Sequence, residues 1–292
     1  MLCAAGIALC CVYALVQGSI CLEQHNFYFR DWWRDWNQPD AGAFVLNPVP
    51  TGPPSPNPTA FEEPAAGTLM TSSQVRRVID AIQQTGKGKG INLLVFGLGR
   101  DSAYWNRVNS GGYTIFVEDS PVWIDMVTKD YPELQGKVVQ YSYRTRNHRD
   151  TRKYWDNPQL WESLFMFGDL PSESPLVQLQ GKFDVVIVDA PQGMPSCEWC
   201  VGRIQSLWTA RVMVRPHGHI VVDDCERLTE KAYSLRFYGD ANADGMVDRS
   251  GTEPGDGQWQ CYYRMDYALP HAELRGPQLP KLDRKEYLEA KP

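Results

Sequence analysis

Two short stretches constrain this chain more than anything else in it. Ile91-Asn-Leu-Leu-Val-Phe-Gly-Leu-Gly-Arg-Asp-Ser102 is an unbroken apolar run that ends in Gly-x-Gly, and Tyr113-Thr-Ile-Phe-Val-Glu-Asp119 is a second apolar run that ends in two acids. A strand covered by helices on both faces reads as a continuous apolar run, not as an alternation. Glycine at its carboxyl end lets the backbone approach a ligand with no Cβ in the way. An acid closing the next strand can accept hydrogen bonds from both hydroxyls of a ribose. Together the stretches predict a nucleoside-binding crevice at the carboxyl ends of adjacent strands, which points to an adenosine-type cofactor.

The rest of the chain alternates in the same way. Thr71 or Ser72 caps a helix whose apolar face is Val75, Val78, Ile79 and Ile82 and which ends at Gly86. Strands are predicted at 91–96, 113–117, 138–143, 183–188 and 219–222, with a late strand at 258–266. Helices are predicted at 102–108, 121–130, 204–214 and 228–237, and residues 144–180 read as a long polar and aromatic insertion. Strands alternating with helices give an α/β fold with a doubly wound, mostly parallel sheet and ligands at the strand carboxyl ends.

The 292 residues, 43% of them hydrophobic, suffice for one substantial domain with appendages. A net charge of −6 argues against a nucleic-acid binder, which needs a basic face against phosphates. Ten Trp and fourteen Tyr are mainly a core signal, with a hint of stacking on sugar rings.

Residues 1–24 are almost wholly apolar from Leu2 to Leu22 and, as a helix, reach about the 30 Å of a bilayer core. We read them as a signal anchor, with a cleaved signal peptide as the alternative. The aromatic cluster Phe27, Tyr28, Phe29, Trp32, Trp33 and Trp36 suits an interfacial belt. The Pro-, Gly- and Ala-rich part of residues 25–70 buries too little apolar area to order itself and reads as a stem. Residues 71–292 then form the globular head, facing a lumen. No Asn-x-Ser/Thr sequon with a permitted middle residue occurs.

Cys3, Cys10, Cys11 and Cys21 lie in the apolar segment, where cysteine acts as a small hydrophobe or an acylation site. Cys197, Cys200, Cys225 and Cys261 lie in the head. Cys197-Glu-Trp-Cys200 has zinc-ligand spacing, but the second pair does not, so disulfides or buried thiols are the preferred reading.

Gly97 and Gly99 close the first strand, and Asp101-Ser102 opens the next helix, whose first amides are expected to face the cofactor. Ser102 stands where a dinucleotide fingerprint has its third glycine, so that fingerprint is incomplete. Glu118 and Asp119 are the ribose-binding candidates. Asp189, after Phe183-Asp-Val-Val-Ile-Val, and Asp223-Asp224, after Ile220-Val-Val, bring acids to the same rim. His217-Gly-His219 with those two acids is not read as a metal cluster. Asp240 to Asp248 resembles the start of a calcium loop, but Gly251 replaces the twelfth-position Glu, and a flexible insertion is preferred. Arg144, Arg146, His148, Arg149, Arg152 and Lys153 form a basic run, and Arg203 and Arg211 sit on one helix. Such cations suit an acidic sugar, with a solvated loop as the alternative for the run.

Val95-Phe-Gly-Leu-Gly-Arg-Asp-Ser-x-x-Trp105, Gly111 to Asp119 with Trp123, Phe183 to Gly193, Gly202-Arg203, Thr209-Ala210 and Val222-x-Asp224-x-x-Arg227 resemble the plant glucuronoxylan 4-O-methyltransferases, a family that includes the irregular-xylem and arabinogalactan glucuronic-acid methyltransferases. The resemblance spans about residues 72–237. It implies a Rossmann-like, S-adenosylmethionine-dependent enzyme of the Golgi membrane that methylates O-4 of glucuronic acid on a wall polysaccharide. It further implies that Gly97, Gly99, Glu118 and Asp119 hold the cofactor, that Asp189 and Asp224 line the transfer site, and that Arg203 meets the sugar carboxylate. An acidic polysaccharide, the membrane and other proteins of polysaccharide synthesis are the implied partners; a resident metal is not. The family commonly carries His at the position of Asp223, and residues 240–257 look like an insertion.

The reaction so implied is an in-line displacement at a sulfonium methyl, with a carboxylate taking the sugar hydroxyl's proton. Asp189 is the first candidate base and Asp224 the second. A nicotinamide oxidoreductase is the rival enzyme class, opposed by Ser102 and by Asp189-Ala-Pro. A scaffold subunit is the non-enzyme rival, opposed by the intact Gly97, Gly99 and Glu118.

Overall fold

A computed structural model describes residues 70–145, 153–154, 157–192, 201–225, 227–239, 242–248 and 259–266. The anchor and stem, Cys197 and Cys200, and most of the basic run lie outside the described residues. Among the described residues, no helix is long and apolar enough to cross a membrane.

Seven strands form one sheet: β1 (Asn92–Phe96), β2 (Tyr113–Glu118), β3 (Val138–Gln140), β4 (Phe183–Val188), β5 (Val214–Val222), β6 (Ala243–Asp248) and β7 (Trp259–Arg264). Their order across the sheet is β3-β2-β1-β4-β5-β7-β6. The first five run parallel, β7 is antiparallel to β5, and β6 is antiparallel to β7. The chain leaves β1 toward β2 and β3, then crosses back to β4 on the other side. The order therefore reverses between β1 and β4, and in an open α/β sheet ligands bind outside the carboxyl ends at that reversal.

Among the described residues the α-helices are α1 (Ser72–Gly86), α2 (Ser102–Val108), α3 (Pro121–Asp130), α4 (Pro175–Gln178), α5 (Ile204–Met213) and α6 (Leu228–Tyr238). Thr71 caps α1 reciprocally: Gln74 N–H donates to its Oγ1, and its own N–H donates to Gln74 Oε1 at 2.9 Å. Ser120 caps α3 ahead of Pro121, whose fixed φ suits the first turn. Alternate residues of each strand feed two cores. Leu93, Val95, Val185, Ile187 and Val221 pack with α1 and α2, while Leu94, Phe96, Val186, Val188 and Val222 pack with α5 and α6. Both faces of β1, β4 and β5 are covered, which is why those strands read as apolar runs.

Four expectations need correction. Residues 144–180 are not simply an insertion: they hold 3-10 turns at Pro158–Leu164 and Met166–Asp169, then α4. Their aromatics enter the core, with Trp161 at 5.5 Å from Trp208 and 5.0 Å from Phe237, ring centre to ring centre. The third strand stops at Gln140, and the fifth begins at Val214, not His219. Residues 243–248, expected as part of a flexible insertion, form the edge strand β6, and Asp244 turns its carboxylate to Arg77 at 2.7 Å; Asp240 and Gly251 lie outside the described residues.

Candidate active site

Hydrogen bonds of the sheet run one residue past the strand ends. Gly97 N–H donates to Val117 O at 2.8 Å, Asp189 N–H to Phe96 O at 2.9 Å and Asp223 N–H to Val188 O at 3.0 Å. Gly97, Asp189 and Asp223 are thereby lined up along one rim at the switch point. Gly97 has φ +114, a region closed to other residues, and a Cβ there would stand 3.2 Å from the Ala190 Cβ. The floor between β1 and β4 stays open because that atom is missing.

The loop beyond Gly97 is tied down at each step. Ser102 Oγ accepts from Gly99 N–H at 2.9 Å, and Ser102 N–H donates to Gly99 O at 3.1 Å. Asp101 Oδ2 accepts from Trp105 Nε1–H at 3.0 Å, and Trp123 Nε1–H donates to Leu98 O. Asp101 and Ser102 thus shape the glycine turn from within. The Ser102 amide, expected to face a cofactor, is used in that turn.

Glu118 is buried and accepts three backbone amides: Leu98 N–H on Oε2 at 3.2 Å, and Asp119 and Ser120 N–H on Oε1, each at 3.0 Å. It binds the end of β2 to the glycine loop. Burial, and then the neighbouring Asp119 charge, push its carboxyl well above the usual range, against the pull of the amides. Asp119 beside it is also raised by burial. The two acids with most to say about a ribose are side by side, and the carboxylate acceptor capacity not used by amides remains for hydroxyls.

The opposite wall is built around Arg203, just before α5. Its side chain is 4% exposed. Nε–H donates to Pro191 O at 3.2 Å, Nη1–H to Asp223 O at 2.6 Å, and Nη2–H to Asp189 Oδ1 at 3.2 Å and Asp224 Oδ2 at 2.7 Å. Four of the five guanidinium donors are accounted for within the protein. Burial works against the Arg203 charge, but Asp224 and Asp189 outweigh it and hold the guanidinium protonated. Arg203 therefore ties together the loops after β4 and β5, where the sequence led us to expect a side chain free to grip a sugar carboxylate. Arg211 does not join it: eight residues along α5 set the two about 12 Å apart.

Asp224 is buried, sits at φ +54, and accepts from both Arg203 and Arg227, the latter at 2.8 Å. It lines the site as a counter-ion more than as a reachable base. Asp189 is different: its side chain is 37% exposed. Burial first, then Asp223, push its carboxyl well above the ordinary range, while Arg203 pulls it down. Asp223 is raised by burial and then by Asp224, and accepts from Gln260 Nε2–H at 2.9 Å. The sequence placed Asp223 at the rim, as found, but gave no role to its partner Gln260. Its register opposite β7 gave no local signal.

The oxygens of Asp189, Asp223 and Asp224 lie within 4.8 Å of one another. Arg203 already bridges two of them, so a metal ion would compete with a guanidinium. The three carboxylates share the two guanidiniums of Arg203 and Arg227, so Asp189 and Asp223 are less fully compensated than Asp224. His219 and His217 lie toward the other end of β5, about 13 Å and about 20 Å from Asp223 by strand rise, and do not converge with it.

These residues fit an adenosine-type sulfonium cofactor. The glycine floor clears room for it, Glu118 and Asp119 offer acceptors at the ribose position, and the less fully compensated charge at Asp189 and Asp223 suits a cation. Cys197 and Cys200 lie outside the described residues; among the described ones, Cys225 and Cys261 form a disulfide that joins the loop after β5 to β7.

The sequence profile of the IRX15/IRX15L/GXM family matches residues 73–251, and the chain belongs to that family. Among curated relatives, it is 32% identical to arabinogalactan O-methyltransferase 2 of Arabidopsis thaliana over 50% of this chain and 54% of that one. It is 30% identical to glucuronoxylan 4-O-methyltransferase 2 of the same plant, over 58% of this chain and 59% of the other. The chain therefore spans little more than half the length of the curated relatives it matches. Among solved structures, an O-methyltransferase from Bacillus cereus in complex with SAH aligns over 69% of this chain and 84% of that one, at 16% identity and a TM-score of 0.41.

Proposed function

We propose that this protein is an S-adenosylmethionine-dependent O-methyltransferase that methylates O-4 of glucuronic acid side chains on a cell-wall polysaccharide of the xylan or arabinogalactan type. We further propose that it works in the Golgi lumen, held by an N-terminal anchor among other proteins of polysaccharide synthesis. Family membership supports the reaction class, since relatives carry the names of glucuronoxylan and arabinogalactan O-methyltransferases. The single observation that carries the reading is the meeting, at the β1–β4 switch point, of the Gly97 floor and the Glu118–Asp119 acids with the half-buried carboxylate of Asp189.

When bound, S-adenosylmethionine supplies an electrophilic methyl group on a sulfonium. The protein's task is alignment and proton removal. Gly97 and the Gly99–Ser102 turn shape the floor, and Glu118 fixes the loop that flanks it. Asp189 takes the proton from the attacking sugar hydroxyl; its raised proton affinity makes it a stronger base than an ordinary carboxylate. Arg203 and Asp224 hold Asp189 in place, and the less fully compensated acids at the rim favour a positive donor.

Calorimetric titration of the protein with S-adenosylhomocysteine, with NAD as control, tests the cofactor. Methyl transfer to glucuronoxylan and to arabinogalactan, with a neutral xylan as control, tests the acceptor. Binding of NAD alone would replace the reading with an oxidoreductase. Binding of neither by a folded sample would leave the scaffold role.

A further inference from the structure

At the amino-terminal end of the sheet, away from Gly97 and Asp189, lies a cavity of about 450 Å³ between the carboxyl end of α1 and strands β5 to β7. Its walls are cationic in a protein whose net charge is −6. Arg77 and Lys87 come from α1 and the residue after it, Arg215, His217 and His219 from β5, and Arg264 from β7. Among the described residues, Asp244 is the one acid that lines it.

The sheet builds this cluster by a change of chemistry along one face. Val221 and Tyr262 pack under α1, and two residues further toward the amino end of β5 the same positions carry His219 and Arg264. Those two are paired directly across the strands. Arg77 lies over the Tyr262 ring at 5.1 Å, which fixes its guanidinium at the cavity wall.

Each arginine is steadied by one acid while keeping donors to spare. Arg77 uses Nη2 on Asp244, Arg215 uses Nε on Asp184 at 2.5 Å, and Arg264 uses Nε on Asp266 at 3.0 Å. A guanidinium has five N–H donors in a planar fork, so such a hold positions it without using it up. Among the described residues, no hydrogen bond holds the side chains of Lys87 or His219, and the buried Thr85 Oγ1 in the wall has no partner. Positioned forks, an open ammonium and an orphan hydroxyl are the groups that recognise a carboxylate-bearing sugar.

We propose that this cavity is a second glycan subsite, which binds the carboxylate of a uronic acid residue remote from the methyl-transfer crevice. The choice of a glycan over a free oxyanion rests on the proposed function; the anion chemistry does not. A chain that carries acidic side groups would then be gripped at one residue while another is methylated, which favours repeated action on one polymer.

The test is calorimetric titration of the whole protein with a glucuronic-acid-substituted xylo-oligosaccharide, its neutral counterpart and inorganic phosphate. The wild type is expected to take up two acidic oligosaccharides. In Lys87→Gln/Arg264→Gln the second uptake weakens at least tenfold, with S-adenosylhomocysteine affinity unchanged. The neutral oligosaccharide is not held at this site. Two undiminished sites in the variant, or one site indifferent to it, would overturn the proposal. Phosphate binding that the double substitution abolishes, without any loss of oligosaccharide binding, would overturn the glycan assignment. Failure of the methyltransferase reading has another signature: no S-adenosylhomocysteine binding, with the Lys87- and Arg264-dependent oligosaccharide site still present.

Discussion

Arg203 Nη2 and Asp224 Oδ2 meet at 2.7 Å with side chains only 4% and 7% exposed. Such a pair has given up its hydration, and its worth lies in being complete. Removing one partner leaves a buried charge uncompensated, at a cost of about 3–5 kcal/mol. Arg203→Ala should shift the urea midpoint accordingly. Arg203→Lys should recover only part, since an ammonium cannot reach Pro191, Asp223, Asp189 and Asp224 together. Unfolding of Arg203→Ala at the wild-type midpoint would show that the guanidinium is dispensable to the loops it joins.

Asp189→Asn should retain the fold and bind S-adenosylhomocysteine as the wild type does, because neither the sheet nor the glycine floor depends on its charge. Turnover should fall by at least about a hundredfold, the usual scale of a lost general base. The acid limb of the rate profile should lie above the ordinary aspartate range, since burial and Asp223 raise Asp189, and activity appears only as the proton leaves. Stopped-time methyl transfer from pH 4 to 9 measures both. Unreduced turnover would remove Asp189 from the role.

Glu118→Gln tests the link between β2 and the glycine loop. Both carboxylate oxygens accept backbone amides, and an amide side chain turns an NH2 group toward one of them. Affinity for S-adenosylhomocysteine should drop by at least about tenfold, with a loss of stability of about 1–3 kcal/mol. An unchanged titration would show that the loop holds its shape without this acid.

The layered sheet and its ligand-binding end were legible because burial on both faces leaves a local mark. Val185 to Val188 and Leu93 to Phe96 are apolar without alternation, and Gly97, Asp189 and Asp223 follow directly. The role of Arg203 was not legible. Its partners lie at 189, 191, 223 and 224, and only the fold brings them to one point, so the residue read as a free cation. Edge strand β6 was missed because Asp244 and Gly245 carry a loop composition, and its pairing with β7 is a long-range fact. His217 and His219 sat near Asp223 in sequence, but β5 carries them away from it.

The Cys225–Cys261 disulfide closes a separation of 36 residues and staples β7 beside the loop that carries Asp223 and Asp224. On chain entropy, such a loop contributes about 4 kcal/mol by restricting the unfolded state. Cys225→Ser/Cys261→Ser should lose a stability of that order in denaturant. The wild type should lose a similar amount on full reduction, and the double variant should lose less on reduction than the wild type does. Equal melts with and without reductant in the wild type would show that the pair contributes nothing.

Glu230, in the first turn of α6, is fully buried, and neither carboxylate oxygen has a hydrogen-bond partner among the described residues. Burial pushes its carboxyl from 4.5 up to about 7, against the opposing pull of Arg203 and Arg227 and with a small push from Asp224. Below about pH 4.5 the folded and unfolded chains both hold the proton, and above about 7 neither does. In between, the folded chain binds a proton that the unfolded chain has lost, so stability falls as pH rises through that window. The full loss is about 3 kcal/mol. Glu230→Gln removes this contribution: it should match the wild type near pH 4.5 and exceed it progressively, up to that amount, by pH 8. Urea unfolding of both proteins at one-unit steps gives the difference directly, free of the other raised acids at Glu118, Asp189 and Asp223. A difference constant across pH would mean that Glu230 does not titrate within the fold, and that Arg203 and Arg227 keep it charged throughout.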